Sequence, residues 1–334
     1  MSWTVFRILF GAGMAILLGW SLVGVLLTGP VVVRPQRFDI DPQTSPARIR
    51  ATVEKLCGEF TPRDYTHTEN LDAAAEWIAA EFRDAGLSVV FQEYEVEGRR
   101  FRNVIARSPG TDPRKMGTDV IGAHYDAYGE YAGANDNASG IAVLLELART
   151  LPDVRHRRTH LFVAFSTEEP PYFASEQMGS YVFAKSLVDE GVRVELMVAL
   201  DLVGYYSDEP RSQSFPVPGL GLYYPHRGNF VAIVGDLGSG TSIKRVKTGM
   251  KGMNTIPVYS FRASPNWAPV LLSDHWAFRQ HGLPGVQVTN TAFMRYPHYH
   301  TAEDTPDHLD YERMADVVTA LHGVLLERGT VRAP

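Results

Sequence analysis

The segment that decides the fold reads TDVIGAHYDAYGEYAGANDNASG and covers Thr118–Gly140. Its apolar start runs up to His124, a turn rich in glycine and asparagine follows, and a helical pattern covers Ala138 to Leu151. A near-continuous apolar run is typical of a strand buried on both faces, as in a parallel sheet. The segment therefore predicts a strand, a turn and a helix, with polar groups where the strand ends.

The same alternation continues through the rest of the chain. Further strand patterns are Leu87 to Val96, RNVIARSP, HLFVAFST, ELMVALDLVGYY, FVAIVGDL, IPVYSF and GVQVTNTA. Helix patterns include a run capped by Asn70, SYVFAKSLVDEG, SDHWAFRQHG and a stretch from Tyr311 to about Glu327. This alternation favours an α/β domain with a mostly parallel sheet covered on both faces. The stretch Ser207–Gly228, rich in Gly, Pro and Tyr, is predicted to be a surface insertion near the functional site.

Composition excludes several classes of protein. The formal net charge of −6 over 334 residues gives no basic face for binding nucleic acid. The single cysteine, Cys57, rules out an intrachain disulfide and a thiolate-rich metal site. The oligomeric state is left open by the sequence.

The N-terminus carries an uncharged run from Ile8 to Val33, preceded by Arg7 and followed by Arg34 and Arg37. A bilayer-spanning helix needs about 20 apolar residues, so the run predicts a transmembrane segment. No small-residue cleavage motif follows it, which favours an uncleaved signal anchor over a cleaved signal peptide. The flanking positive charges are nearly balanced; because a lone N-terminal anchor usually acts as an export signal, the domain is predicted on the extracytoplasmic side. The predicted organisation is an anchor over residues 1–34, a linker over 35–46 and a catalytic domain over 47–330.

The quoted segment itself offers metal ligands. His124 ends a strand, and imidazole is a good zinc ligand. Asp126 lies two residues further on and shares its face in an extended chain, so it could accept the other ring N–H. Asp136 precedes a helix, where it is either a helix cap or a carboxylate that bridges two cations.

Three more acids follow apolar strands. Glu168 and Glu169 come after FVAFST, and Asp201 comes after LMVAL. Buried acids need a compensating charge, and a cation can supply it. Adjacent strand residues point in opposite directions, so we assign Glu169 to the metal and Glu168 to proton transfer as general base and then acid.

The order of these motifs resembles one known family. H-x-D, N-D-N-A-S-G, E-E, L-D and Y-H-T-x-x-D-T occur in this order, with R-N-V-I-A before the first and S-D-H-x-x-F before the last. The chain from about Ala47 onward is thus similar to the co-catalytic zinc aminopeptidases of metallopeptidase clan MH. The T-x-x-D-T pattern selects His300 as the last ligand over its neighbour His298. The remaining histidines considered are assigned structural or surface roles: His275, His281 and His308.

The resemblance implies a fold, a cofactor and an activity. The family fold is a three-layer α/β/α sandwich around a mixed, mainly parallel sheet of about eight strands. Two zinc ions are implied, although other divalent metals suit such ligands. By resemblance His124 and Asp201 hold one ion, Glu169 and His300 hold the other, and Asp136 bridges them. The implied substrate is a peptide with a free N-terminus.

The sequence departs from the family pattern at one place, and three alternative functions remain open. The family often has E-E followed closely by G-x-x-G-S, whereas here PPYFASEQMGS follows, an insertion expected to remodel the rim of the substrate pocket. The related glutaminyl cyclases use a single zinc for ring closure. A carboxypeptidase of the same clan would use the same ligands. A non-catalytic binding protein on the same fold is the third alternative, although such relatives typically lose ligands.

Overall fold

The structure is a computed structural model that describes residues 24, 26–29, 33–35, 37, 38, 40–151, 155–326, 330 and 331. Most of the predicted transmembrane segment lies outside the described residues. In the part of the chain that is described, no helix has the length and apolar character needed to span a bilayer.

The centre of the domain is an eight-stranded mixed sheet with the strand order β1-β2-β5-β3-β6-β9-β7-β8. Strands β5, β3, β6 and β9 run parallel to one another, as do β7 and β8. The antiparallel pairs are β1 with β2, β2 with β5, and β7 with β9. The strands are β1 Ser88–Val96, β2 Arg99–Ser108, β3 Thr118–His124, β5 Thr159–Phe165, β6 Val194–Leu200, β7 Val231–Asp236, β8 Val258–Ala263 and β9 Val286–Thr289, and a separate small pair joins β4 Arg155–His156 to β10 Thr330–Val331.

Helices cover both faces of the sheet. The helices are α1 Pro46–Glu59, α2 Thr68–Asp84, α3 Pro113–Met116, α4 Ser139–Arg149, α5 Gly179–Asp189, α6 Gly240–Met253, α7 His275–Gln280 and α8 Tyr311–Leu326. Helices α1, α2, α4, α6 and α8 share one apolar cluster with one face of the sheet. Helices α5 and α7 pack on alternate strand residues, such as Val120 and Val163, on the other face. The predicted α/β fold with a mixed sheet of about eight strands is confirmed.

The sequence patterns missed or misplaced some helices. Helix α6 was not predicted from its sequence, GTSIKRVKTGMKGM. After the first glycine it contains several residues of low helix propensity, and its apolar residues show little regular spacing. Helix α1 falls partly in the predicted linker and begins at Pro46, with Ser45 accepting a bond from the Arg48 N–H. Helix α2 begins at Thr68, before the expected cap Asn70, whose side chain instead donates to the Pro62 carbonyl.

Candidate metal centre

Three adjacent parallel strands bring the first ligands together. Strands β5, β3 and β6 are neighbours and end at the same edge of the sheet, where open α/β sheets bind their ligands. His124 is the last residue of β3, and Asp201 follows the last residue of β6. Glu168 and Glu169 follow β5 after a short turn. All four side chains are buried in this structure, each with at most 5% exposure.

The turn after β5 is shaped so that both glutamates reach this edge. Thr167 has a left-handed backbone, with φ of 60°, which is strained for a β-branched residue. Its hydroxyl group donates to the carbonyl of Gln177, and the Tyr94 hydroxyl lies 2.9 Å from it. Asn103, from the R-N-V-I-A segment, accepts the Ser166 N–H at 3.2 Å. The strained turn is therefore held from several sides.

Asp136 lies in a loop that is fixed by buried amide side chains. Asn137 donates to the Leu200 carbonyl at 2.8 Å, and Asn135 accepts the Gly204 N–H at 2.9 Å. The carboxylate of Asp304 accepts the backbone N–H groups of Asn135 and Asp136 at 2.8 and 3.0 Å. Asp136 is thus held from the end of β6 and from the loop that carries His300.

The two carboxylate oxygens of Asp136 face two different imidazoles. Oδ1 lies 3.4 Å from Nε2 of His124, and Oδ2 lies 3.0 Å from Nε2 of His300. Nε2 of His300 also lies 3.3 Å from Oε2 of Glu169, while Nε2 of His124 lies 3.6 Å from Oδ1 of Asp201. Asp136 therefore lies between a His–Asp pair and a His–Glu pair.

Asp126 contacts His124 mainly through its main chain. Nδ1 of His124 lies 3.2 Å from the Asp126 carbonyl oxygen and 3.5 Å from its carboxylate Oδ1. The other carboxylate oxygen accepts the Glu169 N–H at 3.0 Å. Asp126 therefore orients one ligand through its carbonyl group and the backbone of another through its carboxylate.

Buried polar atoms without a protein partner converge at the centre of the site. Among the described residues, Nε2 of His124, Oε1 of Glu169 and Oδ1 of Asp201 are buried and accept or donate no hydrogen bond. Unpaired buried polar atoms are costly and therefore rare. Two sets of three side chains place ligand atoms within 4.8 Å of one another: His124, Glu168 and Asp201, and His124, Asp136 and Glu169. Imidazole and carboxylate ligands of this kind fit zinc.

The electrostatics of the site indicate missing positive charge. Burial raises the pKa of Glu169 to about 8, and the charge of Asp136 adds to this. Burial also raises the pKa of Glu168 well above its ordinary value. Although burial lowers the pKa of His300, hydrogen bonds to Asp136 and Glu169 raise it to about 10. Carboxylates that hold protons and imidazoles that attract them are expected where a cation belongs.

The other histidines lie away from these ligand sets. The ring of His298 stacks on that of His308 at 4.3 Å, and Nε2 of His275 lies 2.8 Å from the Val270 carbonyl oxygen. His281 packs against the Tyr181 ring. His300, by contrast, stacks on the Tyr128 ring at 4.1 Å and faces the site.

A cavity of about 180 Å³ opens beside the ligands. Asp136, Glu168, Glu169, Asp201 and His300 form one end of its lining. The remaining lining is mostly apolar and comes from both predicted insertions and from β7 and β8: Pro170, Phe173, Phe215, Leu220, Phe230, Ala232, Val234 and Phe261. The described lining contains four carboxylates and neither a lysine nor an arginine.

Sequence reasoning missed three supporting side chains. Asp304 belongs to the T-x-x-D-T pattern, which was used only to choose His300. Gln287 donates from Nε2 to Oδ2 of Asp201 at 3.1 Å, and only its place in the strand GVQVT, a polar residue within an apolar run, could have marked it. Asp274, in S-D-H-x-x-F, is buried, and burial raises its pKa to about 7.

Comparison with known proteins gives a consistent result. The sequence model of peptidase family M28 matches residues 103–324 of this chain. A protein of Escherichia coli (strain K12), described as uncharacterized protein YfbL, is 38% identical over 283 residues, a match that covers 82% of this chain and 85% of that protein. A protein of Arthroderma otae, described as a probable leucine aminopeptidase, is 25% identical over 286 residues, covering 80% of this chain and 68% of that protein.

Solved structures show the same fold. BSAP, a zinc aminopeptidase from Bacillus subtilis, is similar with a TM-score of 0.70 and 16% identity, covering 88% of this chain and 98% of that chain. A glutaminyl cyclase from Fimbriiglobus ruber is similar with a TM-score of 0.66 and 23% identity, covering 88% and 99%. At these identities the likeness concerns the fold alone.

Proposed function

The chain belongs to peptidase family M28 and is a metallopeptidase of the hydrolase class, and on this premise we propose that it is an aminopeptidase that holds two zinc ions. His124 and Asp201 would hold one ion, Glu169 and His300 the other, and Asp136 would bridge them. The observation that carries this proposal is the pair of distances from Asp136, 3.4 Å to Nε2 of His124 and 3.0 Å to Nε2 of His300.

The bound metals would polarise the scissile carbonyl group and lower the pKa of water, the usual contribution of such ions. Glu168 is the proposed general base and acid. Its Oε2 lies 3.8 Å from Nε2 of His124, one of the residues that would hold the first ion, and it lines the cavity. Burial raises the pKa of Glu168 above its ordinary value. A carboxyl group beside the site can accept a proton from water and return it to the leaving amine, the role of a general base and acid.

Asp126 is the proposed positioning residue for His124. Its carbonyl oxygen, 3.2 Å from Nδ1, favours the tautomer in which Nδ1 carries the proton. Nε2 then keeps its lone pair directed toward Asp136 and Asp201. Such outer contacts typically change metal affinity about 10–100-fold when they are removed.

The charge of the cavity favours recognition of the N-terminal end of a peptide. Four carboxylates line one end, while the described lining offers no lysine or arginine to pair with a C-terminal carboxylate. Two zinc ions would balance the charge of these carboxylates, so the difference between the two ends of a peptide is that a C-terminal carboxylate would find no basic side chain among the described residues of the lining. This argument favours an aminopeptidase over a carboxypeptidase.

We further propose that residues 1–34 anchor the enzyme in a membrane with its catalytic domain on the extracytoplasmic side. The support is the uncharged run from Ile8 to Val33, which exceeds the length of about 20 residues that a bilayer requires.

The test uses the full-length protein in detergent. Elemental analysis should find two zinc ions per chain, and leucyl peptides should release free leucine. Glu168→Gln should keep both ions and lose about 10²–10⁴-fold in kcat, the usual contribution of acid–base catalysis. Glu190→Gln, at an exposed acid after α5, is the matched control and should be fully active.

Other outcomes select other functions. One zinc ion with cyclisation of N-terminal glutaminyl peptides would identify a glutaminyl cyclase. Two ions with release of C-terminal residues would identify a carboxypeptidase. Full activity of Glu168→Gln would refute the proposed base, and a protein that binds no metal would leave the non-catalytic binding protein.

A further inference from the structure

One face of strands β7 and β8 packs against the end of the N-terminal hydrophobic segment. Leu27 contacts an apolar cluster formed by Phe230, Ala232, Val234, Ala263 and Val270. The opposite face of the same strands, represented by Val231 and Val258, faces the main apolar core. Leu27 thus covers part of this face of the sheet.

Polar contacts fix this arrangement. Nε of Arg262, on β8, donates to the Leu26 carbonyl at 2.7 Å, and the Ser260 hydroxyl donates to the Thr28 carbonyl at 3.0 Å. Gly24 lies so close to the ring of Tyr223 that a Cβ atom there would meet it at 2.3 Å. The segment is therefore bound both to the edge strand and to the Ser207–Gly228 insertion.

The cluster that holds Leu27 also lines the substrate cavity. Phe230, Ala232 and Val234 belong to both. The cluster against which Leu27 packs therefore also forms part of the cavity wall. Phe215 and Leu220, from the same insertion as Tyr223, continue the cavity wall.

The insertion exposes apolar side chains beside this segment. Between Ser212 and His226 it carries no charged residue. Leu222 is 82% exposed and Val217 is 41% exposed, and Leu26 of the N-terminal segment is 47% exposed. Aromatic and aliphatic side chains with neighbouring tyrosines are typical of surfaces that lie at the membrane interface.

The length of the hydrophobic run sets the height of this surface. A helix that enters the bilayer at Ile8 needs about 20 residues to cross it, which places the outer boundary near Leu27. Because Leu26, Leu27 and Thr28 are the residues bound to β8, the domain is held directly at the boundary. There is then no free tether between the bilayer and this face of the domain.

From these contacts we propose that Leu26, Val217 and Leu222 form a membrane-contact surface, and that the apolar cavity takes peptides presented at the bilayer. We call these three residues the apolar rim. The proposal rests on the membrane anchoring and aminopeptidase activity proposed above, and it adds the bilayer itself as the partner of the rim. The substrates expected are peptides whose bodies lie in or on the membrane.

The first test measures contact without using activity. In a Cys57→Ser background, Leu222→Cys is labelled with a fluorophore, and the full-length protein is placed in phosphatidylcholine vesicles that contain a nitroxide-labelled lipid. Val188→Cys is the matched control, because Val188 is 46% exposed and lies on helix α5. We expect loss of fluorescence for the label at position 222 and unchanged fluorescence at position 188.

The second test measures the consequence for substrates. Leu222→Glu should lower kcat/KM for a leucyl peptide with a C-terminal acyl chain, in the same vesicles, by about tenfold, since burial of one leucine is worth at least that factor. Its kcat/KM for a water-soluble leucyl anilide should not change. Val188→Glu should change neither value.

Several outcomes would overturn the membrane-contact surface. Equal quenching at positions 222 and 188 would show that the rim has no privileged contact with lipid. Loss of fluorescence at position 222 that grows with protein concentration in vesicles lacking the nitroxide-labelled lipid would show that a second copy of the chain covers the rim. Failure of the wild type to cleave the soluble anilide would refute the aminopeptidase and leave the quenching result intact.

Discussion

The two ends of strand β3 bury charge in opposite ways. Asp119, the second residue of β3, is buried. The Arg245 guanidinium group donates to both of its carboxylate oxygens, one of them at 2.7 Å. Arg158 lies 3.9 Å from the same carboxylate. The protein thus supplies its own counter-charge at this end.

At its last residue, His124, the same strand meets a cluster of carboxylates that, among the residues the structure describes, has no basic partner other than histidine. The neighbouring histidines show the contrast. Burial lowers the pKa of His160, near Asp119, to about 3; the charge of Asp119 opposes this shift, and His156, Arg245 and Arg158 add to it. Burial also opposes protonation of His124, yet the Glu168 carboxylate and its neighbours raise the pKa of His124 well above its ordinary value. Charge that the chain leaves unbalanced is where an external cation belongs, and this distinguishes a binding site from a structural ion pair.

The largest effect is expected from a substitution among the proposed metal ligands, at the end of β3 that carries His124. Asp136→Ala should reduce the metal content below two ions per chain and lower kcat/KM about a thousandfold or more, because metal ions contribute several kcal/mol to catalysis. Metal analysis and peptide hydrolysis measure both effects. Asp119→Asn is the matched control and should keep two ions per folded chain. Equal metal loss in both variants would erase the distinction between the two ends.

Breaking the structural end should instead cost stability. Asp119→Asn removes the buried carboxylate to which Arg245 donates two hydrogen bonds, and removal of one partner of a buried ion pair typically costs about 3–5 kcal/mol in the free energy of unfolding. Denaturant titration measures this. Asp112→Asn, at the half-exposed pair with Arg157, should cost no more than about 1 kcal/mol. An equally small loss of unfolding free energy in Asp119→Asn and Asp112→Asn would show that the buried ion pair stabilises the fold no more than the half-exposed pair.

Removal of metal should lower the stability of the fold, because bound ions would stabilise the end of β3 that carries His124. When free metal stands at a hundred times its dissociation constant, each bound ion stabilises the native state by about 2.7 kcal/mol. A chelator should therefore lower the melting temperature of the wild type in calorimetry. The same chelator should have a smaller effect on Asp136→Ala, and an unchanged melting temperature in the wild type would contradict the metal site.

The supporting carboxylate of Asp304 should have an intermediate role. Asp304→Asn removes one acceptor from the N–H groups of Asn135 and Asp136, and loss of such outer contacts typically weakens metal binding about 10–100-fold. Metal titration in a competing chelator measures the affinity. Asp307→Asn, at an exposed acid of the same loop, is the control. Equal affinities would show that the loop alone positions Asp136.

The last effect concerns pH and is confined to acidic conditions. Because the pKa of His160 in the folded state, about 3, lies below its ordinary value of 6.5, the unfolded chain binds more protons between these values. The contribution of His160 to stability is therefore fully present above about pH 6.5 and is lost as the pH falls toward 3. His160→Gln should flatten the decline of unfolding free energy over this range. Burial also lowers the pKa of His322 to about 3, so part of the decline should persist.

The sequence predicted the grouping of polar side chains at the His124 end of β3 better than the ion pair at the Asp119 end. His124, Glu168 and Asp201 each follow an apolar run, and parallel strands that end at one edge must bring such residues together. Strand order and the antiparallel pairing of β7 with β9 depend on long-range contacts that no local pattern records. For the same reason the bond from Arg245 to Asp119 could not be foreseen, since the two residues are far apart in the chain.

Some local details of the site also escaped prediction. Asp126 was expected to use its carboxylate on His124, but its carbonyl group lies closer and the carboxylate accepts the Glu169 N–H instead. A change of backbone direction after β3 produces this exchange, and residue spacing does not reveal it. The contacts of Asp304 likewise depend on a loop that returns to the site after β9.

The contact between Asp304 and the loop of Asp136 has a consequence for the timing of synthesis. The ribosome makes His124, Asp136, Glu169 and Asp201 long before it makes His300 and Asp304. Until the later segment has emerged, the N–H groups of Asn135 and Asp136 lack their acceptor, and one imidazole is missing. The proposed pair of ions would therefore find its complete set of ligands only after the last part of the chain has been synthesised and folded.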